Sequence, residues 1–284
     1  VRFVPVPNAA TRVSGVLAGQ YQFADSLPAE ALGRFKGVAG VQPVIVKPFG
    51  FPLMIMNNKT GVAANQKVRQ AVLAALEPND MLLAGFGDPA FIAPEGSIYA
   101  QGTPYSDAAS AKPYGEHGLS KATELLKAAG YKGEPIRIMT SVQYEFLYKM
   151  SLVAQAQLEA AGFKVDLQVL DWATLLQKRG DEKAWDAFFT YHTFVPEPSL
   201  ITFINPSYPG WWDSPAKKEA LAAFNREMDP AARKAKWVEL QKLFYSEVPT
   251  IKIGEFYNLA AASDKLTNYT PTPWPFFWNA ELKN

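Results

Sequence analysis

Residues 135–171, PIRIMTSVQYEFLYKMSLVAQAQLEAAGFKVDLQVLD, decide the architecture. The opening PIRIMTS is a short apolar run of strand length. After it, Leu147, Met150, Val153, Ala154, Leu158 and Ala161 recur every three or four residues, which predicts a helix over about 144–161 ended by Gly162. Then Phe163, Val165, Leu167 and Val169 alternate with Lys164, Asp166 and Gln168, the period of a strand with one polar face. A crossover this long joins parallel strands, and such connections are right-handed. The chain is therefore α/β.

Working outward, Ser120 reads as the cap of a helix with Ala122, Leu125, Leu126 and Ala129 on one face and Gly130 as its stop. The segment 65–86 is helical, with Pro78 ending or kinking it, and 85–118 is Gly/Pro/Ser-rich with little periodicity. At the start, a short strand leads to a helix capped by Asn8. Asp229 followed by Pro230 opens a late helix, since proline suits a first turn. The apolar run 41–58 is interrupted at Pro48 and Gly50, as if the chain left one body and entered another.

The chain of 284 residues is 48% hydrophobic and 19% charged, which predicts two globular domains. A net charge of +1 with scattered Lys and Arg gives no basic track for nucleic acid. With no cysteine, disulfides, thiolate catalysis and Cys-type zinc sites are excluded. The two histidines, His117 and His192, lie in neither an H-x-x-x-H nor an H-E-x-x-H pattern, so no metal or cofactor is expected. Nucleophile-elbow, P-loop and dinucleotide fingerprints are missing as well, and no catalytic residue stands out.

One stretch breaks the habit that loops are polar. Residues 188–213, FFTYHTFVPEPSLITFINPSYPGWWD, hold eight Phe, Tyr and Trp residues, four prolines and His192. Such rings line a ligand pocket or fold onto the core. Trp237 and Trp185 read as core. Trp172 follows the end of an alternating strand, where α/β sheets place binding residues, and Trp211 and Trp212 are adjacent in the loop.

Together, NAATRVSGVLAGQYQFADSLP (8–28), NQKVRQAVLAALEPNDML (65–82), SKATELLKAAGY (120–131), AQAQLEAAGFKVDLQVLDWATLLQKRG (154–180) and FINPSYPGWWDSPAKKEALAAFNREMDPAARKAKWVELQKLFYSEVPTIKI (203–253) resemble family 5 of the extracytoplasmic solute-binding proteins, those of peptide- and nickel-type ABC importers. The resemblance covers the C-terminal half of proteins about twice this length. It implies a class II periplasmic-binding-protein-like fold with one complete lobe, 51–250, plus part of a second, 1–48 and 254–284. It also implies apolar surface exposed on that smaller body.

The resemblance further implies an importer component with no enzymatic activity, which captures a peptide-like solute between lobes by hinge closure and meets a membrane permease. Its place is periplasmic or extracytoplasmic, at the membrane only through the permease. Ligand-lining positions carry over to Trp172, Arg179 and Tyr191; His192, Phe194, Trp211 and Trp212 join them from the aromatic loop. Phe194 stands where peptide binders of the family have the aspartate that holds the ligand's α-ammonium, and Phe188 replaces an arginine. A solute without a free α-ammonium is therefore expected. The rival reading is a secreted carbohydrate-active hydrolase using Asp171, Glu197 or Asp213 near the aromatic loop. Tyr191 and His192 must face opposite sides of any strand that contains both, so Tyr191 is the stronger candidate.

Overall fold

A computed structural model describes residues 1–283. In order come α1 (Ala9–Leu17), β1 (Phe23–Leu27), α2 (Leu32–Phe35), β2 (Val41–Met56), α3 (Gln66–Ala75), α4 (Pro78–Phe86) and β3 (Ile92–Ala93). Then follow α5 (Leu119–Ala128), β4 (Ile136–Ser141), α6 (Glu145–Ala160), β5 (Val165–Leu170), α7 (Trp172–Lys178) and β6 (Ala187–Thr193). The last elements are α8 (Pro215–Arg226), α9 (Pro230–Glu247), β7 (Thr250–Lys252), β8 (Glu255–Ser263), β9 (Leu266–Thr267) and β10 (Glu281–Leu282).

The chain divides into two compact units. One comprises residues 1–50, 86–93 and 255–284, and the other 51–85 and 94–254. The excursion of 86–93 into the first unit is unexpected from the sequence. Phe86 stacks on Phe256, and Ile92–Ala93 pair with Phe256 and Glu255 of β8.

In the first unit β8 lies between β1 and the front of β2, antiparallel to both. Val13 and Val16 of α1 pack with Ala24, Leu27, Phe35 and Leu259. The Asn8 side chain accepts from Thr11 N at 2.9 Å, as a cap should. The first residues, however, form no strand. Arg12 instead satisfies their carbonyls, donating to Val6 O (2.7 Å) and Pro7 O (2.9 Å). Val1, Phe3, Trp274 and Trp278 are exposed on this unit.

The second unit holds the parallel strands. β4 lies between β5 and β6 and is parallel to both, with Ile136 opposite Val165 and Met139 opposite Phe188. α6 is the crossover from β4 to β5, and α7 leads from β5 back past β4 to β6. The two connections run in opposite directions across the sheet, and the right-handed rule for parallel crossovers puts such a pair on opposite faces. β5 is the last strand in the order, so its predicted apolar face is incompletely covered and Val169 is 46% exposed. The helix α5 starts at Leu119, with Gly118 bonded to Ala74 O (2.8 Å) at its entry. Ser120 lies two residues past the cap position, Gly118, and faces Glu124 instead. Asp229 caps α9 through Ala232 N at 2.8 Å.

Polar groups pin the frame at the start of β6. The fully buried Asp186 carboxylate accepts from Val62 N (2.9 Å), Arg137 N (2.9 Å) and Arg137 Nε (2.8 Å). Gly61 approaches so closely, at φ +71°, that a Cβ there would meet the Asp186 carboxylate. Asn57 donates to Glu182 O and Trp185 O and accepts from Lys59 N and Thr60 N. Replacing Asp186 with Ala strands two backbone donors and a guanidinium, each costing about 1–3 kcal/mol when buried. The expected outcome is a loss of roughly 3 kcal/mol, read as a lower urea midpoint at unchanged slope.

Candidate functional site

Three rings gather at the carboxyl ends of the three parallel strands. Tyr144 follows β4 and immediately precedes α6, Trp172 follows β5 and opens α7, and Tyr191 lies near the end of β6. Tyr144 sits between the other two, 4.7 Å from Trp172 and 5.3 Å from Tyr191 between ring centroids, in edge-to-face contacts. Phe146 adds a fourth ring, 5.5 Å from Tyr191. Burial and the neighbouring Tyr144 push the Tyr191 hydroxyl up to about 12. Local geometry holds Trp172 in place: Asp171 caps α7 by accepting from Thr174 N (2.9 Å) and Thr174 Oγ1 (2.6 Å), and Trp172 N donates to Gln143 Oε1 (2.9 Å). Open α/β sheets bind ligands outside the carboxyl ends of their strands, and Tyr144 and Trp172 stand at that end. Tyr144 was missed in the sequence because it falls at the first position of the predicted helix 144–161, off the spacing of its apolar stripe.

His192 points the other way from Tyr191, as strand alternation requires. Its ring is enclosed by Phe51 (5.9 Å), Phe203 (6.2 Å) and Tyr208 (5.6 Å). Nε2 lies 3.1 Å from the Tyr208 hydroxyl, and Thr202 Oγ1 is 3.1 Å from the ring nitrogens. Arg179 Nη1 donates to the same Tyr208 hydroxyl at 3.3 Å. Enclosure, and secondarily the Arg179 charge, push the His192 imidazole down to about 4. His117 is not part of this group and pairs with Glu77.

The expected single crowd of seven residues is thus divided, and two members are core. Phe194 is buried against Phe51 (4.8 Å) and Tyr99 (6.1 Å). Trp212 is buried too, with its indole N–H donated to Glu247 Oε2 and its ring 6.0 Å from Phe244. Trp211 stacks on Trp185 at 5.4 Å, at the end of β6 away from Trp172. For Trp212 the cause is the chain's return after the two turns Pro198–Leu200 and Thr202–Ile204, which folds the loop's second half onto α9; Phe194 lies before those turns, directly after β6. Trp185 and Trp237 are core as predicted. The three carboxylates of the hydrolase reading are each engaged: Asp171 as a cap with its pKa lowered by the Thr174 bonds, Glu197 with Arg233 (2.8 Å), Asp213 with Lys218 (2.9 Å).

Residues 1–225 match the bacterial extracellular solute-binding proteins, family 5, middle region. The chain belongs to this family. Among curated relatives, a probable peptide ABC transporter periplasmic-binding protein of Sinorhizobium fredii is 26% identical over 286 residues, covering 95% of this chain and 54% of the relative. The oligopeptide-binding protein AppA of Bacillus subtilis is 26% identical over 275 residues, covering 90% and 48%. This family 5 chain therefore spans about half the length of the relatives it matches. The structure of AppA from Bacillus subtilis in complex with a nonapeptide aligns with a TM-score of 0.81 at 16% identity, covering 98% of this chain and 59% of that one. The substrate-binding protein CtaP of Listeria monocytogenes aligns at 0.84 with 16% identity, over 96% and 57%. The fold is thus the family's α/β binding-protein fold, one complete lobe plus part of another.

The depressed imidazole pKa has a consequence for stability. Enclosure disfavours the imidazolium, so between pH 6.5 and about 4 the unfolded chain binds the proton that folded His192 refuses. Stability contributed by neutral His192 is complete above pH 6.5 and is lost as pH falls through that window. Urea melts at pH 7 and pH 4.5 are expected to show a smaller pH-dependent loss in His192→Gln than in the parent chain. An equal loss in both would place the imidazole in contact with water.

Proposed function

We propose that this chain supplies much of the solute-binding component of an ABC importer. Its two units would be parts of the component's two lobes, and it would work outside the cytoplasm, delivering solute to a membrane permease. The observation that carries the reading is the Trp172–Tyr144–Tyr191 cluster at the carboxyl ends of β5, β4 and β6. Open α/β sheets bind ligands at that end, where connections diverge, and rings offer contact area with few rotatable bonds to order. Capture needs only a closed state that the solute prefers to the open one; no bond is made or broken.

The solute class we propose is a peptide-like molecule lacking a free α-ammonium. Supporting this, Phe188 and Phe194 are both buried and neither offers a charge to a ligand end, while the Lys252 ammonium lies 5.7 Å from the Phe194 ring. An ammonium brought beside Phe194 would lose water without gaining a carboxylate.

Calorimetry on the full-length protein tests both parts, using matched libraries of free and N-acetylated tripeptides. Acetylated peptides are expected to bind at least as tightly as free ones. A strict requirement for the free amine would overturn the proposed class. Trp172→Ala and Tyr191→Ala are each expected to weaken binding by about 1–3 kcal/mol, the scale of one large side chain's burial, with little change in melting temperature. Unaltered affinity in both variants would move the site elsewhere.

A further inference from the structure

We propose that the first unit carries a second ligand site, separate from the ring cluster: a cavity beside the front of β2 that takes a small, neutral, ring-bearing amide. The site is independent of the solute-binding reading, since every residue that builds it lies within 1–50 or 255–284. The cavity has a volume of about 310 Å³ and lies between residues 42–45 of β2, Ala262 of β8 and the stretch 266–271. A dry apolar cavity of roughly 150 Å³ takes a benzene, so this one has room for a ring with a substituent. Pockets for small molecules begin at about this size.

The lining sets the chemistry. Pro43, Val44, Ile45, Ala262, Leu266 and Pro271 give apolar walls, and no residue lining the cavity carries a charge. An ion entering it would leave water without meeting a counter-ion, so the ligand is neutral. Two lining residues are polar. Gln42 is exposed and offers an amide oxygen and an amide NH2 at the rim. Tyr269 is the unusual one: its hydroxyl is buried and has no hydrogen-bond partner among the described residues. Buried hydroxyls are nearly always paired, and an unpaired one calls for an explanation. The ring is held from two sides, stacked on Phe277 at 5.2 Å and meeting Phe23 edge-on at 5.0 Å. The nearby Asp25 carboxylate accepts from Asn258 Nδ2 at 2.8 Å. Burial, and secondarily Asp25, raise the Tyr269 pKa above the usual phenol value, so the O–H stays a donor.

A ring-bearing amide answers both polar groups at once. Its carbonyl would accept from the Tyr269 hydroxyl after a small tilt of that ring toward the cavity, and its N–H would donate to Gln42 Oε1. Its ring would lie against Ile45, Ala262 and Leu266, where a flat apolar body gains contact area with few bonds to order. An added strand from another protein suits the place poorly. Pro43 has no N–H to give to a ladder, and Pro271 on the facing stretch has none either. The cavity therefore favours a compact molecule over an extended chain.

The test uses full-length protein labelled on Ala and Leu methyl groups, with benzamide, benzoate and toluene as probes in NMR titrations. Benzamide is expected to shift the Ala262 and Leu266 methyl resonances saturably, and benzoate and toluene to do so about fivefold more weakly or less, the scale of one hydrogen bond. Tyr269→Phe keeps the ring stack and should weaken benzamide about fivefold while leaving toluene unchanged. Without any probe, that variant should melt at or above the parent temperature, because it removes a hydroxyl with nothing to bond. A lower melting temperature would mean that the hydroxyl already has a partner, and would overturn the proposal. Val44→Phe, at a half-exposed position, narrows the cavity and should abolish the shifts with the melting temperature retained. Trp172→Ala should leave them in place; their loss in that variant would put benzamide in the ring cluster and sink the second site. No saturable shift up to the solubility of benzamide, or equal shifts in the parent, Tyr269→Phe and Val44→Phe, would sink it as well.

Discussion

The carboxylate of Asp186 is the constraint on which the second unit depends. It stands at the entrance to β6, where it takes two backbone N–H groups and one guanidinium N–H. A buried carboxylate is tolerable only when surrounded by such donors. In meeting its own needs it joins the turn after β2, the start of β4 and the start of β6. Those bonds set where β6 begins beside β4, and a one-residue slip there would exchange the faces of every side chain along it. Tyr191 and His192 occupy their respective sides because Asp186 is anchored five residues before Tyr191.

From that register follows a two-sided arrangement. One side of β6 meets the start of α6 and contributes Tyr191 to the ring cluster. The other meets the second core, where His192 stands at the boundary between Phe51 and the polar pair of Tyr208 and Arg179. The two chemistries are kept apart by the sheet itself. The apolar side resists protonation changes, and the polar side is where a charge would be felt.

Local periodicity carried most of the fold into view. The strand–helix–strand at 135–170, the Asn8 and Asp229 caps and the glycine stops at Gly130 and Gly162 are all short-range chemistry, and each is present. Position within the sheet was less legible. Nothing in Val165–Leu170 announces that this strand is an edge, since its alternation suits a half-covered face equally well. The site was legible where it hangs from strand ends, as at Trp172 and Tyr191. It was illegible in the aromatic loop, because Phe194 and Trp212 have the composition of a pocket wall and the burial of a core, while the half-buried Trp211 stacks on Trp185. Which way such rings turn is decided by the path of the returning chain, here onto α9, and that is long-range information.

The stretch between β3 and α5 offers a different lesson. Residues 94–118 carry no strand or helix beyond the turn Lys112–Gly115, yet buried side chains hold them down. Gln241 of α9 accepts from Ile98 N and donates to Asp107 O and Ser110 Oγ, Tyr245 reaches Gly96 O, Lys252 reaches Ser97 O, and Tyr114 reaches back to Ile253 O. Backbone groups that a ladder would normally satisfy are satisfied one at a time from elsewhere. Irregular shape and rigidity coexist in such a segment. A protein engineer looking for a permissive place to graft a tag or a binding loop would be drawn to this proline- and glycine-rich run, and would find a wall.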